Sequence, residues 1–389
     1  MTTSDGRLVG DLARAIDESD FAWSLVLVGE DQRDKLAALT SDLLGKPSTT
    51  GDGKQITSGY AYWGIGPTIA WAHACADPFY LVMKQSLDSF TRRWRRVRGK
   101  IGAGYHHVCF GVGTGHKDRL ILEHLLERHP GMLYLPVDMS SEMLRLGTQE
   151  ATHRVGLRGH RVVPVQLDFS ITDNLAELRE LVHRLVGDEP VLYSLLGNTM
   201  ANFDHDTELL AGLTALVRPQ DLFLLEVATT EALSDELARD AVEEYARSRA
   251  YREFVTSALL HNTDLTINPD AVQFRGAVEG DRALKVKVMY QNQTGGDIMM
   301  MLPDRNRVPF PDRDTIRLYL TRKYDRKALD GIVREVGMRK VTGTHSDFQV
   351  PRSAQGFGMD LLLLAPGGSV PEPRPDDDLG SAIWGGLPA

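Results

Sequence analysis

The chain has few cysteines and no long apolar run. Its 389 residues include two cysteines, Cys75 and Cys109, too few for a disulfide framework or a cysteine-based zinc cluster. Each lies in an apolar stretch, and two buried free thiols indicate a reducing compartment. No apolar run approaches the roughly 18 residues that cross a bilayer, and the opening MTTSDGRLVG lacks the layout of a signal peptide. We expect a cytoplasmic protein with no metal site and no membrane partner.

Positive charge is also in deficit. Lys and Arg number 44 against 53 Asp and Glu, a net charge of −9, which argues against a nucleic acid partner because such binders usually carry a basic surface. A local exception is the segment TRRWRRVR at residues 91–98, where a base could stack on Trp94. The other interpretation, which we favour, is the end of a helix over residues 81–97, whose last-turn arginines favour the helix dipole.

The apolar pattern divides the chain into a helical beginning and an alternating middle. Residues 7–18 and 31–44 have helical spacing, residues 46–59 are loop-like, and residues 60–80 are rich in aromatics. From His106 onward, strands alternate with helices, which predicts a parallel sheet with helices on both faces. The predicted strands are residues 107–111, 132–138, 161–168, 190–196 and 221–227.

The later chain departs from this alternation. A helical stretch over residues 231–260 is followed by strand-like residues 284–290, 298–302 and 315–320. After a helix at residues 326–336, residues 340–348 and 359–364 can pair as an antiparallel hairpin at the sheet edge. The tail from Pro366 is rich in Pro, Gly and Asp, and we expect it to be flexible.

The first predicted strand runs into the glycine loop FGVGTG at residues 110–115. Glycines allow a sharp turn and a close backbone approach to a ligand, but this motif alone is shared by NAD enzymes and methyltransferases.

The next two strands end in Asp138 and in Asp168-Phe169. These positions suit an acid for the ribose hydroxyls, an acid for the adenine amine and a ring over the base. For each acid alone, the alternative is a helix N-cap. Phe110 stands where many methyltransferases carry an acid.

These elements are typical of a class I methyltransferase, since a closing hairpin is foreign to dinucleotide-binding dehydrogenases. We predict an α/β fold, a doubly wound Rossmann-like sheet with a closing antiparallel hairpin, and a second, substrate-binding domain. The cofactor domain is expected over residues 100–230 and 324–365, the substrate-binding or lid domain over residues 1–99 and 231–323, and the flexible tail over residues 366–389.

Three motifs in order carry a family resemblance: FGVGTGHK at residues 110–117, YLPVDMS at residues 134–140 and LGNTMANF at residues 196–203. From about residue 59 to residue 364 the chain resembles the histidine-specific Nα-methyltransferases of ergothioneine biosynthesis, which use S-adenosylmethionine (SAM). The resemblance implies cofactor contacts from the residues at these strand ends, Gly111, Gly113, Gly115, Lys117, Asp138, Asp168 and Phe169.

The resemblance also implies an acceptor pocket, and this part is altered. The matching positions are Tyr62, Phe79, Tyr80, Asn202, Thr256, Tyr319 and Thr321. Phe79 replaces a tyrosine, and Tyr319 replaces the glutamate with which the family grips the histidine side chain. Losing a hydrogen bond to a charged group costs roughly 1.5–3 kcal/mol, so free histidine is not expected to be the acceptor. The alternative is a drifted pocket with an unchanged acceptor.

We therefore expect an enzyme that transfers methyl groups from SAM to a small-molecule amine, amino-acid-like or from secondary metabolism. Tyr62 and Asn202 would hold the amine, and no residue is a clear general base. N-methylation is favoured over O- or C-methylation. Two alternatives stay open: methylation of a peptide or RNA through the arginines of residues 92–98, and a non-catalytic cofactor-binding protein. The sequence does not indicate the oligomeric state.

Overall fold

The computed structural model describes residues 25–29, 32–45, 53–348 and 356–368. The helix expected over residues 7–18, and the expected flexible tail beyond residue 368, lie outside these ranges.

The central sheet is built from consecutive apolar runs. Parallel strands lie side by side in the order β5-β4-β3-β6-β7, with a short β1 (Val26–Leu27) outside β5. Because both faces are covered by helices, buried parallel strands need no polar alternation, and every residue of β3, β4, β6 and β7 is buried. The strands are β3 (His106–Phe110), β4 (Tyr134–Asp138), β5 (Val165–Gln166), β6 (Val191–Leu195) and β7 (Leu222–Thr230).

The sheet closes with the predicted hairpin. Strands β13 (Met338–Asp347) and β14 (Phe357–Pro366) pair antiparallel, and β14 also pairs antiparallel with β7. The order β5-β4-β3-β6-β7-β14-β13 therefore has one reversed strand near its edge. The α/β fold with a mostly parallel central sheet is confirmed. The strand expected over residues 161–168 is shorter than predicted, since only Val165 and Gln166 form it.

Helices cover both faces of this sheet. Alternate strand residues enter two separate apolar clusters: Val108 and Phe110 point to one, while Cys109 points to the other. This alternation follows from the two-residue period of a strand. The connecting helices are α4 (His116–Arg128), α5 (Ser141–Thr152), α6 (Thr172–Val186), α7 (Asp206–Thr214) and α10 (Arg326–Glu335).

A second set of strands continues from the end of β7. The last residues of β12 (Thr315–Asp325) pair parallel with Thr229 and Thr230, and β12 then runs antiparallel to β9 (Ala283–Gln291), which pairs with β8 (Val272–Glu279). The short β2 (Lys54–Gln55) joins the other side of β12. A separate hairpin is formed by β10 (Ile298–Met301) and β11 (Arg307–Phe310).

Helices from two distant parts of the chain pack over these strands. They are α1 (Gln32–Leu44), α2 (Ile65–Ala76), α3 (Leu81–Val97), α8 (Asp235–Ala246) and α9 (Arg249–Asn262). The helical stretch expected over residues 231–260 is divided into two helices, because the chain breaks at Arg247 and Ser248 and restarts at α9. The Ser248 side chain accepts the Tyr251 backbone N–H as an N-cap, which favours a new helix start over continuation.

The aromatic segment at residues 60–80 packs against the inserted segment. The Trp71 and Phe254 ring centroids are 4.9 Å apart, and those of Tyr80 and Tyr251 are 4.8 Å apart. The two segments share one apolar core with β12, so the expected packing of one on the other is observed. Their role as a substrate-binding lid stays a prediction.

The arginine-rich segment is the end of α3, as we favoured. Trp94 is 2% exposed, stacks on Phe90 and donates its indole N–H to the Leu120 carbonyl at 3.1 Å. Arg93 is completely buried. Trp94 is therefore unable to stack on a base. In the described ranges, no helix is both long and apolar enough to span a membrane.

Candidate active site

A cleft opens at the carboxyl ends of the parallel strands, where ligands bind in open α/β sheets. It encloses about 1000 Å³, its solvent-filled mouth included. All the cofactor positions expected from the sequence line it: Gly111, Gly113, Gly115, Lys117, Asp138, Asp168 and Phe169. Tyr62 and Asn202 line it as well.

The glycine loop needs its glycines for two physical reasons. Gly111, Gly113 and Gly115 all have positive φ, of 73°, 53° and 72°, a region that other L-residues avoid. A Cβ on Gly115 would lie 1.9 Å from the carbonyl oxygen of Gly147 in α5, whereas one on Gly113 would meet no described atom within 4 Å. The loop thus packs tightly on α5 and leaves open space beside Gly113, as a cofactor cradle requires.

Asp138 is available to a ligand rather than committed to a helix end. The N-cap of α5 is Ser140, whose hydroxyl accepts the Met143 N–H at 3.2 Å. The Asp138 carboxylate accepts the Ser140 N–H at 3.0 Å and is 7% exposed. Burial raises the pKa of Asp138 to about 7. A carboxylate so poorly hydrated gains from new donors, which the two hydroxyls of a ribose would supply.

Asp168 lies beside Phe169 and is held from two sides. It accepts the Ser170 hydroxyl at 2.6 Å, and it pairs with the Lys35 ammonium of α1 at 2.5 Å. The residue at the N-cap of α6 is Ile171, which makes no side-chain cap, so Asp168 is not a helix cap either. No local pattern identifies Lys35 as part of the site, because its partner Asp168 is 133 residues away.

Tyr62 contacts two other expected acceptor residues, Tyr319 and Asn202, that are far from it in the sequence. Its hydroxyl is 2.6 Å from that of Tyr319, and the Asn202 amide donates to it at 3.5 Å. Its ring packs against Trp71 and Phe254 at centroid distances of 5.1 and 5.0 Å. Burial raises the pKa of Tyr62 far above its usual range, so the phenol stays neutral and acts through hydrogen bonds.

Other expected acceptor residues lie behind or beside the cleft. Phe79 is 62% exposed, whereas Tyr80 is buried. The Thr256 hydroxyl donates to the Arg252 carbonyl of its own helix at 2.9 Å, and that of Thr321 accepts the Asn198 amide at 3.2 Å. None of these four is among the described lining residues, and neither is Tyr319, which lies one hydrogen bond behind Tyr62. Contact of these residues with an acceptor stays a prediction.

Sequence analysis missed a buried charged group beneath the cleft. Glu226, in the middle of β7, has no exposed surface and pairs with both Arg93 and Lys117. A buried acid must be paired to remain ionised. The lone glutamate in the apolar run LFLLEVATT therefore indicated that a cationic partner must pack against this strand. Its partners on α3 and α4 could not be identified from local pattern.

Three side chains of kinds that can bind a metal, those of His107, Cys109 and Asp118, also lie close together under the glycine loop. The His107 ring donates through Nδ1 to the Leu192 carbonyl at 3.0 Å, and its Nε2 is 3.2 Å from Asp118. The Cys109 thiol donates to the same carboxylate at 3.3 Å. The group is thus closed by its own hydrogen bonds. Of the two thiols, Cys109 is buried as expected, whereas Cys75 is only half-buried. The absence of a metal stays a prediction.

The glycine loop after the first core strand, the acids ending the next two strands and the reversed strand β14 together define a class I SAM-dependent methyltransferase. The family model described as "histidine-specific methyltransferase, SAM-dependent" matches residues 38–350. The chain belongs to this family, and SAM is its cofactor. The predicted family and cofactor are confirmed.

Solved structures with a similar fold include a SAM-dependent methyltransferase from Clostridium acetobutylicum ATCC 824, at 13% identity and a TM-score of 0.37, covering 73% of this chain and 92% of that one. The CcbJ methyltransferase from Streptomyces caelestis has 16% identity and a TM-score of 0.33, covering 83% and 99%. The glycopeptide N-methyltransferase MtfA with SAM has 13% identity and a TM-score of 0.34, covering 72% and 94%. Similarity this distant says nothing about the acceptor. Comparison with curated proteins gives no match.

Cofactor affinity should depend on pH through Asp138. Ribose hydroxyls bound at Asp138 would donate to the ionised carboxylate, and burial raises its pKa from 3.8 to about 7. The protonated form is therefore favoured in the folded protein, so its contribution to stability is lost as the pH rises through about 7, while cofactor affinity is gained. We expect S-adenosylhomocysteine (SAH) to bind up to about tenfold more weakly one unit below this pKa.

Calorimetry in buffers of different ionisation enthalpy should show a proton released on binding near neutral pH. The Asp138→Asn variant is the control, since it has no carboxyl proton to release. A wild-type affinity that is flat across the neutral range would contradict the prediction.

Proposed function

We propose that the chain methylates a nitrogen atom of a small-molecule amine that is less polar than free histidine. The observation that carries the proposal is the hydroxyl pair of Tyr62 and Tyr319, 2.6 Å apart. In the family resemblance, a glutamate stands at the second position. Here a neutral phenol occupies it, and its hydroxyl is already used by Tyr62.

The surroundings of this pair are aromatic. Rings of Trp71, Phe254 and Tyr251 lie within 6.1 Å of one or both tyrosines, centroid to centroid. The carboxylates among the described lining residues are Asp118, Asp138 and Asp168, which belong to the glycine-loop and strand-end side. A cationic imidazole at the Tyr62 end would lack a charged partner, and an unpaired buried charge is costly.

The residues suit nitrogen as the attacking atom. SAM supplies an electrophilic methyl group, and the acceptor must present a lone pair to it. Asn202 and Tyr62 provide one amide N–H and one phenol at the cleft wall, enough to orient a neutral amine by hydrogen bonds. When the N–C bond forms, the S–C electron pair returns to sulfur and the nitrogen becomes cationic. Aromatic faces then stabilise that cation by roughly 0.5–2 kcal/mol.

Deprotonation of the amine is left to solvent. Tyr62 is a poor base because burial, the largest effect, raises its pKa and keeps it protonated. The amine would therefore enter in its neutral form, and one proton of the product ammonium would leave through the open mouth of the cleft. Activity should rise with pH up to the pKa of the acceptor amine.

The proposal is tested by offering candidate amines with SAM and following the mass of one added methyl group. Aromatic and alkyl amines should be methylated ahead of histidine. Methylation of a hydroxyl or carbon, with no amine accepted, would contradict the proposal. A peptide or RNA acceptor is the second outcome that would overturn it. The buried Trp94 and Arg93 favour the small molecule.

Removing the Tyr62 hydroxyl should slow methylation without weakening cofactor binding. A neutral hydrogen bond contributes about 0.5–1.5 kcal/mol, so Tyr62→Phe should lower kcat/KM for the accepted amine roughly three- to tenfold. Tyr290→Phe is a matched control, since Tyr290 is a buried tyrosine of β9 that donates to the Thr266 carbonyl outside the cleft. Unchanged kcat/KM in a folded Tyr62→Phe protein would remove Tyr62 from the acceptor site.

A further inference from the structure

The carboxylate of Glu226 is a meeting point of four donors. One oxygen accepts from the Arg93 guanidinium and from the Ser86 hydroxyl at 3.4 Å. The other accepts from the Lys117 ammonium and from the Gly197 backbone N–H at 2.8 Å. Strand β7, helices α3 and α4, and the loop after β6 are thus tied together at one completely buried group.

Lys117 is the charged member of this cluster that lines the cleft, next to Gly197. An ammonium has three N–H donors. Hydrogen bonds to the Ser86 hydroxyl at 2.6 Å and to Glu226 use two of them. The Phe90 ring lies 5.4 Å away and is no hydrogen-bonded oxygen or nitrogen, so the third N–H can be donated to a ligand. Two cations and one carboxylate leave the cluster with a net single positive charge.

The cofactor carries one anionic group, its methionyl carboxylate, which would be attracted to this positive charge. If Asp138 holds the ribose and Asp168 the adenine, the part of the cleft at the glycine loop and Gly197 would hold its methionyl end. A Cβ on Gly197 would lie 4.0 Å from the Lys117 nitrogen, so ammonium and loop are adjacent. A carboxylate in this position would receive a charge-assisted hydrogen bond.

We propose that Glu226, supported by Arg93, is a positioning residue that holds Lys117 charged and directed at the methionyl carboxylate of SAM. The proposal rests on the SAM-dependent function above and adds residues on α3 and β7 to its cofactor site. Glu226 also fixes the Gly197 amide, at the start of the loop that ends in Asn202. Glu226 thereby connects the proposed site of the cofactor's amino-acid end with the part of the cleft wall that Asn202 forms.

The charges around Lys117 show why an acid is needed there. Burial lowers the pKa of Lys117, Glu226 raises it, and the neighbouring cation Arg93 lowers it again. Asp118 also raises it, but its carboxylate is engaged by His107 and Cys109. The nearby thiol of Cys75 stays neutral, because burial raises its pKa above the usual range. Without Glu226, Arg93 and burial would favour a neutral Lys117.

The test compares two ligands that differ in the amino-acid group. SAH carries the carboxylate, whereas 5′-methylthioadenosine lacks the whole amino-acid part. In Glu226→Gln, SAH should bind five- to tenfold more weakly at mildly alkaline pH, with a smaller loss at mildly acidic pH, where Lys117 regains its proton. Binding of 5′-methylthioadenosine should change less than about twofold, below 0.5 kcal/mol.

Glu244→Gln is the matched control. Glu244 is also buried and paired, with Lys323 at 2.6 Å, but it lies on α8 and is not among the lining residues. It should leave the ratio of the two affinities unchanged. In the double variant Arg93→Met/Glu226→Gln, the repelling cation is also absent, so Lys117 should keep its proton and most of the SAH preference should return. This variant also serves if Glu226→Gln alone fails to fold.

An equal loss for both ligands, or no loss for either, would overturn the proposal and make Glu226 purely structural. So would a double variant that recovers no SAH preference. Failure of the wild-type chain to bind either ligand would instead contradict the cofactor site itself. The proposed acceptor is tested by a different measurement, the mass of the methylated product.

Discussion

The Asp138→Ala variant should bind SAM at least tenfold more weakly than the wild-type protein, a loss of about 1.4 kcal/mol or more. The carboxylate lines the cleft, and the helix-capping role at this strand end belongs to Ser140. A hydrogen bond to a charged group contributes roughly 1.5–3 kcal/mol, and a ribose offers two donors. Part of this gain is offset because burial raises the pKa of Asp138 to about 7, so ionising it costs free energy in the empty cleft.

Titration calorimetry measures this loss, and a thermal melt without cofactor checks that the variant is folded. Removing a desolvated carboxyl should leave the unliganded protein at least as stable at neutral pH, since burial disfavours the ionised group. An unchanged SAM affinity in a folded Asp138→Ala protein would exclude Asp138 from the site.

Free L-histidine should not be turned over at a useful rate. We expect the wild-type protein to methylate it at least about a hundredfold more slowly than the accepted amine, a difference of about 2.7 kcal/mol. A site without a charged partner disfavours a polar acceptor, because the acceptor's own polar groups would be buried unpaired. At the Tyr62 end, the Tyr319 hydroxyl is engaged by Tyr62, and the aromatic rings nearby carry no charge.

The Tyr319→Glu variant should recover histidine turnover only in part. The new carboxylate would lie among Tyr62, Tyr251 and Phe254, where burial penalises its charge, and Phe79 still differs from the family pattern. Tyr319→Gln is the matched control, with similar shape and no charge, and it should recover nothing. Histidine turnover by the wild-type protein at the rate of ordinary enzymes, on the order of 1–1000 per second, would refute the prediction.

That the residues expected to bind the cofactor line one cleft at the strand ends was predictable because their signals are local. A glycine loop, two acids at strand ends and a reversed strand can each be recognised within about ten residues, and the parallel sheet brings all strand ends to one edge. The same locality explains two differences between the predicted and the observed elements. Apolar periodicity could not detect the Ser248 cap that divides the helical stretch, and it extended β5 beyond the two residues that pair.

The sequence by itself determined the fold class, the family and the cofactor, since hydrophobic period and glycine placement report on backbone geometry directly. Only the tertiary structure decided which side chains meet. Tyr62 and Tyr319 are 257 residues apart, and Glu226 is 109 residues from Lys117. Such contacts depend on how α2, α3 and β12 pack around the sheet, and packing depends on the shape of the whole core rather than on any local pattern. The surroundings of Tyr62 in the cleft wall were decided at that level.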